Sequence, residues 1–510
     1  MEPPTSRPTG GSGRKPRIRR TGLHGGNAGS AGHPPASGPS GTADTGAQES
    51  APATNAHPGS PKKASSPRKK GLQAPDRSRA LITRTPGREN TAATRGRTRE
   101  KSTQTPVARF WNWVEGDPHK DGRTGYYLIL GSTLALTVIG LMMVLSSSSV
   151  EAISSNPDAS SYDQVIKQGV WAVVGVAMML IISRFSLPTF KKLAWPALFI
   201  SAFLLLLVLT PLGLEIYGNK NWIKIGSLTF QPSEAAKLAL AVWAASVLSK
   251  KSKLIDQTSH ALIPVLFPGG VLLLGLVMVG RDLGTALVIG LVLVATLFLG
   301  GVRLKLFAAA GVLGAIAAVV MVMVSGNRMT RIYAWLGLNC DTQPGACYQS
   351  TQGIYALASG GWWGVGLGQS RQKWNYIPEA SNDFIFTILG EELGLLGTLV
   401  VVVLFAILAI AMYRVAARHQ DGFVRIATGG IMAWLIGQAF LNIGMVTGLL
   451  PVIGVPLPFI SSGGSALLLS LMAVGVVLCF ARSRPDASSE LPTEATTPGG
   501  TPRKARKANP

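Results

Sequence analysis

Between residues 283 and 301 the chain carries only Thr285 and Thr296 as polar side chains and no charge. A helix on the surface of a soluble protein would show a polar face on every turn. A hydrocarbon core about 30 Å thick takes roughly 20 helical residues to cross. Ten stretches fit that demand, at about 125–150, 168–187, 193–211, 232–249, 261–280, 283–301, 304–324, 384–413, 424–447 and 461–482. Inside lipid the backbone must satisfy its own hydrogen bonds, and single apolar runs of this length do so as helices. The expected fold is therefore an all-α polytopic membrane protein with ten transmembrane helices. A large loop, 325–383, falls between helices 7 and 8.

The formal charge of +23 invites a nucleic-acid reading, but its placement points elsewhere. Before Gly125 there are 22 Lys/Arg against 9 Asp/Glu, so the N-terminal tail holds much of the excess. An even number of spans puts both tails on one side. The short loops carrying Lys191 and Lys192, Lys250, Lys251 and Lys253, Arg303 and Lys305, and Arg414, Arg418 and Arg425 fall on that same side. Positive charge favours the cytoplasm, so both termini are expected there. The basic tails then face anionic membrane lipids, and no nucleic-acid partner is expected.

Residues 1–124 are rich in Pro, Gly, Ser, Thr and basic residues and are expected to be disordered, because they bury too little apolar area to offset chain entropy. Phe110, Trp111 and Trp113 form a short juxtamembrane aromatic group at the end of this tail. The membrane domain spans 125–482, and 483–510 is a second disordered tail.

The large loop is longer than a connection needs and carries Trp335, Trp362, Trp363, Trp374 and several tyrosines. These rings suit either sugar faces or the headgroup layer. From 325 to 378 its only acid is Asp341, among Arg328, Arg331, Arg371 and Lys373. A lone carboxylate among cations stays ionised. It is either a turn residue or a general base that takes a proton from an attacking hydroxyl, with Arg331 and Lys373 on an anionic leaving group. Cys340 and Cys347 flank it in a compartment that permits disulfides, where a bridge adds ~2–3 kcal/mol in the chain-entropy model. The alternative is two free thiols.

Charges within spans are functional candidates. Glu234 and Lys237, three apart on one helix face, are either a structural ion pair or a phosphate-binding lysine with its support. Asp282 opens a helix, where the dipole alone favours it, or it lines a site. Glu391 and Glu392 are read first as structural hydrogen-bonding groups.

The stretches Phe230-Gln-Pro-Ser-Glu-Ala-Ala-Lys237, Asp282-Leu-Gly-Thr-Ala286, Pro378-Glu-Ala-Ser-Asn-Asp-Phe-Ile-Phe386, Gly390-Glu-Glu-Leu-Gly394, and Asn442-Ile-Gly-Met-Val-Thr-Gly-Leu-Leu-Pro451 running into Pro456-Leu-Pro-Phe-Ile-Ser-Ser-Gly-Gly464 occur in one order. In that order they resemble the SEDS family (shape, elongation, division, sporulation) over about 125–482. The resemblance implies a peptidoglycan glycosyltransferase that polymerises lipid II with inversion and releases undecaprenyl diphosphate. It implies Asp341 as the catalytic base, with Lys237, Glu234, Asp282, Arg331, Lys373, Glu379 and Asp383 toward substrate. Ser381 stands where the family often has His, so no histidine role transfers.

The long basic tail and the wording of 442–464 favour the cell-division branch over the elongation branch. That branch implies a class B penicillin-binding protein transpeptidase, other division proteins and a septal location. No metal site is specified, although a divalent cation (Mg or Mn) at the diphosphate is compatible with the chemistry. A lipid II flippase and a non-catalytic scaffold are the competing classes.

Overall fold

The computed structural model describes residues 121–155, 162–216, 219–226, 228–254, 262–324, 326–338, 340, 344–374 and 376–483. The two tails expected to be disordered lie outside these residues, apart from short stretches at their inner ends.

The described residues are mostly helical, and the stretch expected at 261–280 is irregular over Val265–Gly270 before a helix of nine residues. The chain runs through α1 (Asp121–Ser155), α2 (Asp163–Ile182) and α3 (Leu187–Leu209), then a small sheet, then α4 (Pro232–Lys250). It continues through α5 (Val271–Val279), α6 (Leu283–Leu299) and α7 (Leu304–Val324). The large loop supplies α8 (Gly326–Trp335) and α9 (Pro344–Ser359), and α10 (Ile385–Arg418), α11 (Gly422–Val446) and α12 (Gly464–Arg482) complete the bundle. Six of these, α1, α2, α3, α10, α11 and α12, contain segments long and apolar enough to cross a membrane. Helices α5 to α7 are apolar but contribute shorter segments. Helix α4 carries Glu234 and Lys237 and is buried along most of its length, packed on α3, α6 and α11.

The architecture differs from the all-α expectation in one place. Residues of the 212–231 connection form an antiparallel sheet, β1 (Gly213–Ile216), β2 (Asn219–Ile225) and β3 (Leu228–Phe230), in that order. Ile223 is the buried anchor of the central strand, paired with Gly213 on one side and Phe230 on the other. Lys220 from the same strand donates to the carbonyls of Leu209 and Thr210, so a cation covers the orphan carbonyls at the end of α3.

Local chemistry sets the helix starts. Pro232 sits in the first turn of α4, where its missing N–H costs nothing. Asp282 caps α6 by accepting from the Thr285 amide, and Asp421 caps α11 through the Phe423 amide. Helix α10 is interrupted at Gly394, whose φ of 68° and ψ of −167° lie in a region open essentially to glycine alone.

Candidate functional site

Two loops meet at one end of the bundle, 376–384 before α10 and 450–463 between α11 and α12. Polar side chains buried in apolar helices join them. Asn442 of α11 donates to the carbonyls of Asp383 (2.8 Å) and Val455 (2.7 Å), one from each loop. Ser461 donates to the Asn382 carbonyl at 2.7 Å and accepts from the Leu457 amide. The Ser462 amide donates to the carbonyl of Ser381. Gln168 of α2 accepts from the Gly463 amide and donates to the Ser461 carbonyl.

Arg331 of α8, Glu379 and Asp383 gather around this junction. Arg331 donates to the Val452 carbonyl at 3.3 Å. Gly454 is at φ 79°, and a side chain there would press on Asp383 Oδ2 and approach the Arg331 guanidinium. Burial pushes the Asp383 carboxyl up to about 7, Glu379 adds to the rise, and Arg331 opposes it.

Asp282 faces the same junction from α6 at longer range, but its oxygens are occupied. Oδ1 accepts from the Thr285 amide, while Oδ2 accepts from the Thr285 hydroxyl (2.7 Å), Asn221 (2.9 Å) and Gln231 (3.5 Å). The cap and the tie to β2 account for this residue.

Lys237 and Glu234 form the expected pair, Nζ to Oε1 at 2.7 Å, both almost fully buried. Lys237 also donates to Gln438 Oε1 at 2.8 Å and lies over the Trp434 ring. Gln438 in turn donates to the Pro456 carbonyl at 2.8 Å. The lysine thus reaches the 450–463 loop through an amide relay, with its ammonium enclosed by protein groups.

Lys373 is likewise enclosed. It meets Glu392 of α10 at 3.3 Å and donates to Ser146 of α1 and the Gly368 carbonyl. Glu391 beside it accepts from the Ser370 hydroxyl and from the amides of Arg371 (3.0 Å) and Gln372 (3.4 Å). The two glutamates therefore clamp the 370–373 turn, which is the structural role read for them from sequence.

Backbone contact continues the clamp. The amides of Val365 and Gly366 donate to the carbonyls of Glu391 and Glu392. Beyond the break, Leu395 and Leu396 donate to Gly361 and Trp362. Side chains at Gly360, Gly364, Gly390 or Gly394 would collide here, so the spacing Gly390 to Gly394 matches Gly360 to Gly364 across a backbone-to-backbone seam.

The sequence profile of the FtsW/RodA/SpoVE family, described as "Cell cycle protein", matches residues 126–485. The chain belongs to this family. It is 37% identical over 387 residues to the probable peptidoglycan glycosyltransferase FtsW of Mycobacterium tuberculosis, covering 76% of this chain and 72% of the relative. It is 37% identical over 358 residues to stage V sporulation protein E of Bacillus subtilis, covering 70% and 96%. In three dimensions it resembles a chain of a solved peptidoglycan synthase complex, with a TM-score of 0.57, 24% identity, and 69% and 96% of the two chains covered. It also resembles the rod shape determining protein RodA of Thermus thermophilus, with a TM-score of 0.51, 23% identity and 70% and 96% covered. These last two likenesses bear on the fold.

Of the motif stretches that carried the SEDS resemblance, the residues around Asp383 and the 456–464 segment form this junction and the Asp282 cap adjoins it through Gly284, while Gly390–Gly394 faces the 360–366 segment instead. Asp341 lies outside the described residues. Its mounts are described. Cys340 and Cys347 are joined by a disulfide with Cα atoms 5.6 Å apart, and Cys347 is buried. Helix α8 is pinned by Arg331 to Val452 and by Trp335 to the Gly448 carbonyl at 2.9 Å. Helix α9 is pinned by Gln349 to the Pro378 carbonyl at 3.0 Å, and its Gly353 packs on Phe384.

Sequence reasoning missed Gln438 and Gln168, and it read Asn442 only as the start of a family stretch without a role. Their signal was present, as an amide in an apolar span needs a partner and so marks a junction. Among the described residues no group of three His, Cys, Asp or Glu is arranged to hold a metal ion.

Proposed function

We propose that this chain is a peptidoglycan glycosyltransferase that polymerises lipid II into glycan strands during septal wall synthesis. The observation that carries the reading is family membership, with relatives named for that activity across most of the chain. The apolar runs favour ten crossings, and the basic loops favour both termini in the cytoplasm. The ion pair between Lys191 at the start of α3 and Asp421 at the start of α11 (2.7 Å) supports putting those two basic connections at one end.

Asp341 acts as general base. It takes the proton of the acceptor sugar hydroxyl as that oxygen attacks the anomeric carbon of the donor. The bond from that carbon to the diphosphate breaks, the configuration inverts, and undecaprenyl diphosphate leaves with the electron pair. Arg331, exposed on α8, is assigned to the departing diphosphate. Lys237 and Lys373 act indirectly, by bracing the loops. Asp282, Glu234, Glu379 and Asp383 shape the junction on which the substrate rests.

A class B penicillin-binding protein is the natural partner, since one structural relative belongs to a complex described as coordinating polymerization and crosslinking. The test is polymerisation of purified lipid II by the protein with its transpeptidase, wild type against Asp341→Asn. Undiminished glycan synthesis by the variant removes Asp341 as the base. Lipid crossing vesicles without polymer favours a flippase. Neither activity, with the partner still bound, favours a scaffold.

A further inference from the structure

Helix α10 has 34 residues, well beyond the roughly 20 that a bilayer core requires. Its break at Gly394 divides that length. The part from 395 to 418 spans roughly 36 Å and is sufficient to cross the membrane alone. The shorter part, 385–393, is buried in protein along most of its length and carries Glu391 and Glu392. Past the break, Leu395, Leu396, Leu399, Val400, Val402 and Val403 are exposed, as lipid-facing residues must be. Gly394 therefore lies near the level where α10 leaves the hydrocarbon.

The 360–373 segment is fixed at that same level. Its amides and carbonyls bond to α10 on both sides of the break, through Val365 to Glu391, Gly366 to Glu392, Leu395 to Gly361 and Leu396 to Trp362. The segment cannot stand off from the membrane while these bonds hold. At this height it displays Trp362 and Trp363, 68% and 81% exposed, with Val365 and Leu367 also exposed and Arg371 nearby. None of these side chains takes part in the junction described above. Indole rings favour the headgroup boundary, where an apolar face and an N–H donor are both satisfied, and an adjacent arginine suits anionic phosphates.

We propose that Trp362, Trp363, Val365 and Leu367 form an interfacial anchor that docks into the outer leaflet, continuous with the lipid-facing surface of α10. The occupant is the lipid surface itself. The docked loop holds the 370–373 turn, and through it the start of α10, at a fixed depth. This rests on α10 crossing the membrane and not on the catalytic role of Asp341.

The test uses full-length protein in nanodiscs containing phosphatidylglycerol, with the Cys340–Cys347 bridge intact and Cys479→Ala as background. Nitroxide labels are placed singly at Trp363→Cys, Leu399→Cys and Lys224→Cys, and collision with oxygen is compared with collision with a nickel chelate. All three positions are exposed, so labelling leaves the packing intact, and monodisperse elution verifies it. The expected oxygen-to-nickel ratio at 363 lies several-fold above that at 224 and approaches that at 399. A ratio at 363 equal to that at 224, with 399 reading as lipid, overturns the anchor alone. An aqueous reading at 399 overturns the membrane placement of α10 and the anchor with it.

Discussion

Replacing Lys373 by Met tests whether the seam between 360–373 and α10 depends on its buried ion pair. The Lys373 and Glu392 side chains are 4% and 0% exposed and 3.3 Å apart. Removing one member of such a pair leaves a charge in protein and destabilises by about 3–5 kcal/mol. Glu392 Oε1 would keep Ser146 at 2.6 Å and the Ser370 amide at 3.4 Å, which places the loss at the lower end. About 3 kcal/mol at 1.4 kcal/mol per decade is roughly a hundredfold shift toward the open seam. The amides of Val365 and Gly366 report that opening directly, because their acceptors are the Glu391 and Glu392 carbonyls. Hydrogen exchange by mass spectrometry over 361–367 should therefore accelerate on the order of 100-fold in Lys373→Met. The double variant Lys373→Met, Glu392→Gln removes the orphaned charge and should regain most of the protection. Unchanged exchange in the single variant, or no recovery in the double, refutes the electrostatic account.

Other consequences are as direct. Asp383 holds its proton more tightly folded than unfolded, at about 7 against an ordinary 3.8, so its contribution is fullest below 3.8 and is lost as pH rises through 7. Asp383→Asn should thus gain thermal stability over wild type at pH 8 and not at pH 4, and an equal shift at both contradicts the titration. Gly394→Ala should destabilise far more than Gly368→Ala. Both residues have positive φ, but only Gly394 combines it with a ψ open essentially to glycine and faces the backbone of Gly364 and Trp362, whereas Gly368 opens onto free space. Melting of the two variants in detergent measures the difference. Reductant should slow glycan synthesis by wild type and leave the Cys340→Ser, Cys347→Ser variant, already slowed, unaffected. Equal rates for all four samples would show the bridge to be dispensable.

The helices were legible because a bilayer imposes a length and a polarity that few other constraints imitate. Boundaries moved by a few residues, as at α2, expected over 168–187 and found at Asp163–Ile182. The sheet was not legible, since its strands are short and their apolar residues do not alternate cleanly around Trp222 and Ile223. The Glu234–Lys237 pair and the Asp282 cap were visible because both are local, three residues apart. The Lys373–Glu392 pair was not, because nothing local in the sequence announces a contact between a loop and a helix interior. The break in α10 was hidden as well. Gly390 and Gly394 read as family wording until Gly360 and Gly364 were seen against them.

Glu234 and Glu392 share a further property. Each gives one oxygen to a buried lysine and leaves Oε2 without a partner among the described residues. Pairs built this way are poor sources of stability, because desolvation offsets much of their attraction. Their value is positional. Lys237 of α4 works through Gln438 on the Pro456 carbonyl, and Lys373 of the 360–373 loop reaches Glu392 of α10 and Ser146 of α1, so each fixes a loop to a membrane helix. Asn442 then ties the 376–384 loop to the 450–463 loop. Helices α8 and α9 are pinned to those same two loops, at Val452, Gly448 and Pro378. A transferase joining two lipid-linked sugars has to hold its base against an acceptor at a set height above the bilayer, and a 1 Å error can cost about a hundredfold in rate. On this reasoning the buried charges serve catalysis through the stiffness of the frame rather than by touching the substrate. Substitutions at Lys237 and Lys373 should then lower kcat while leaving the KM for lipid II nearly unchanged, whereas Arg331→Ala should affect both.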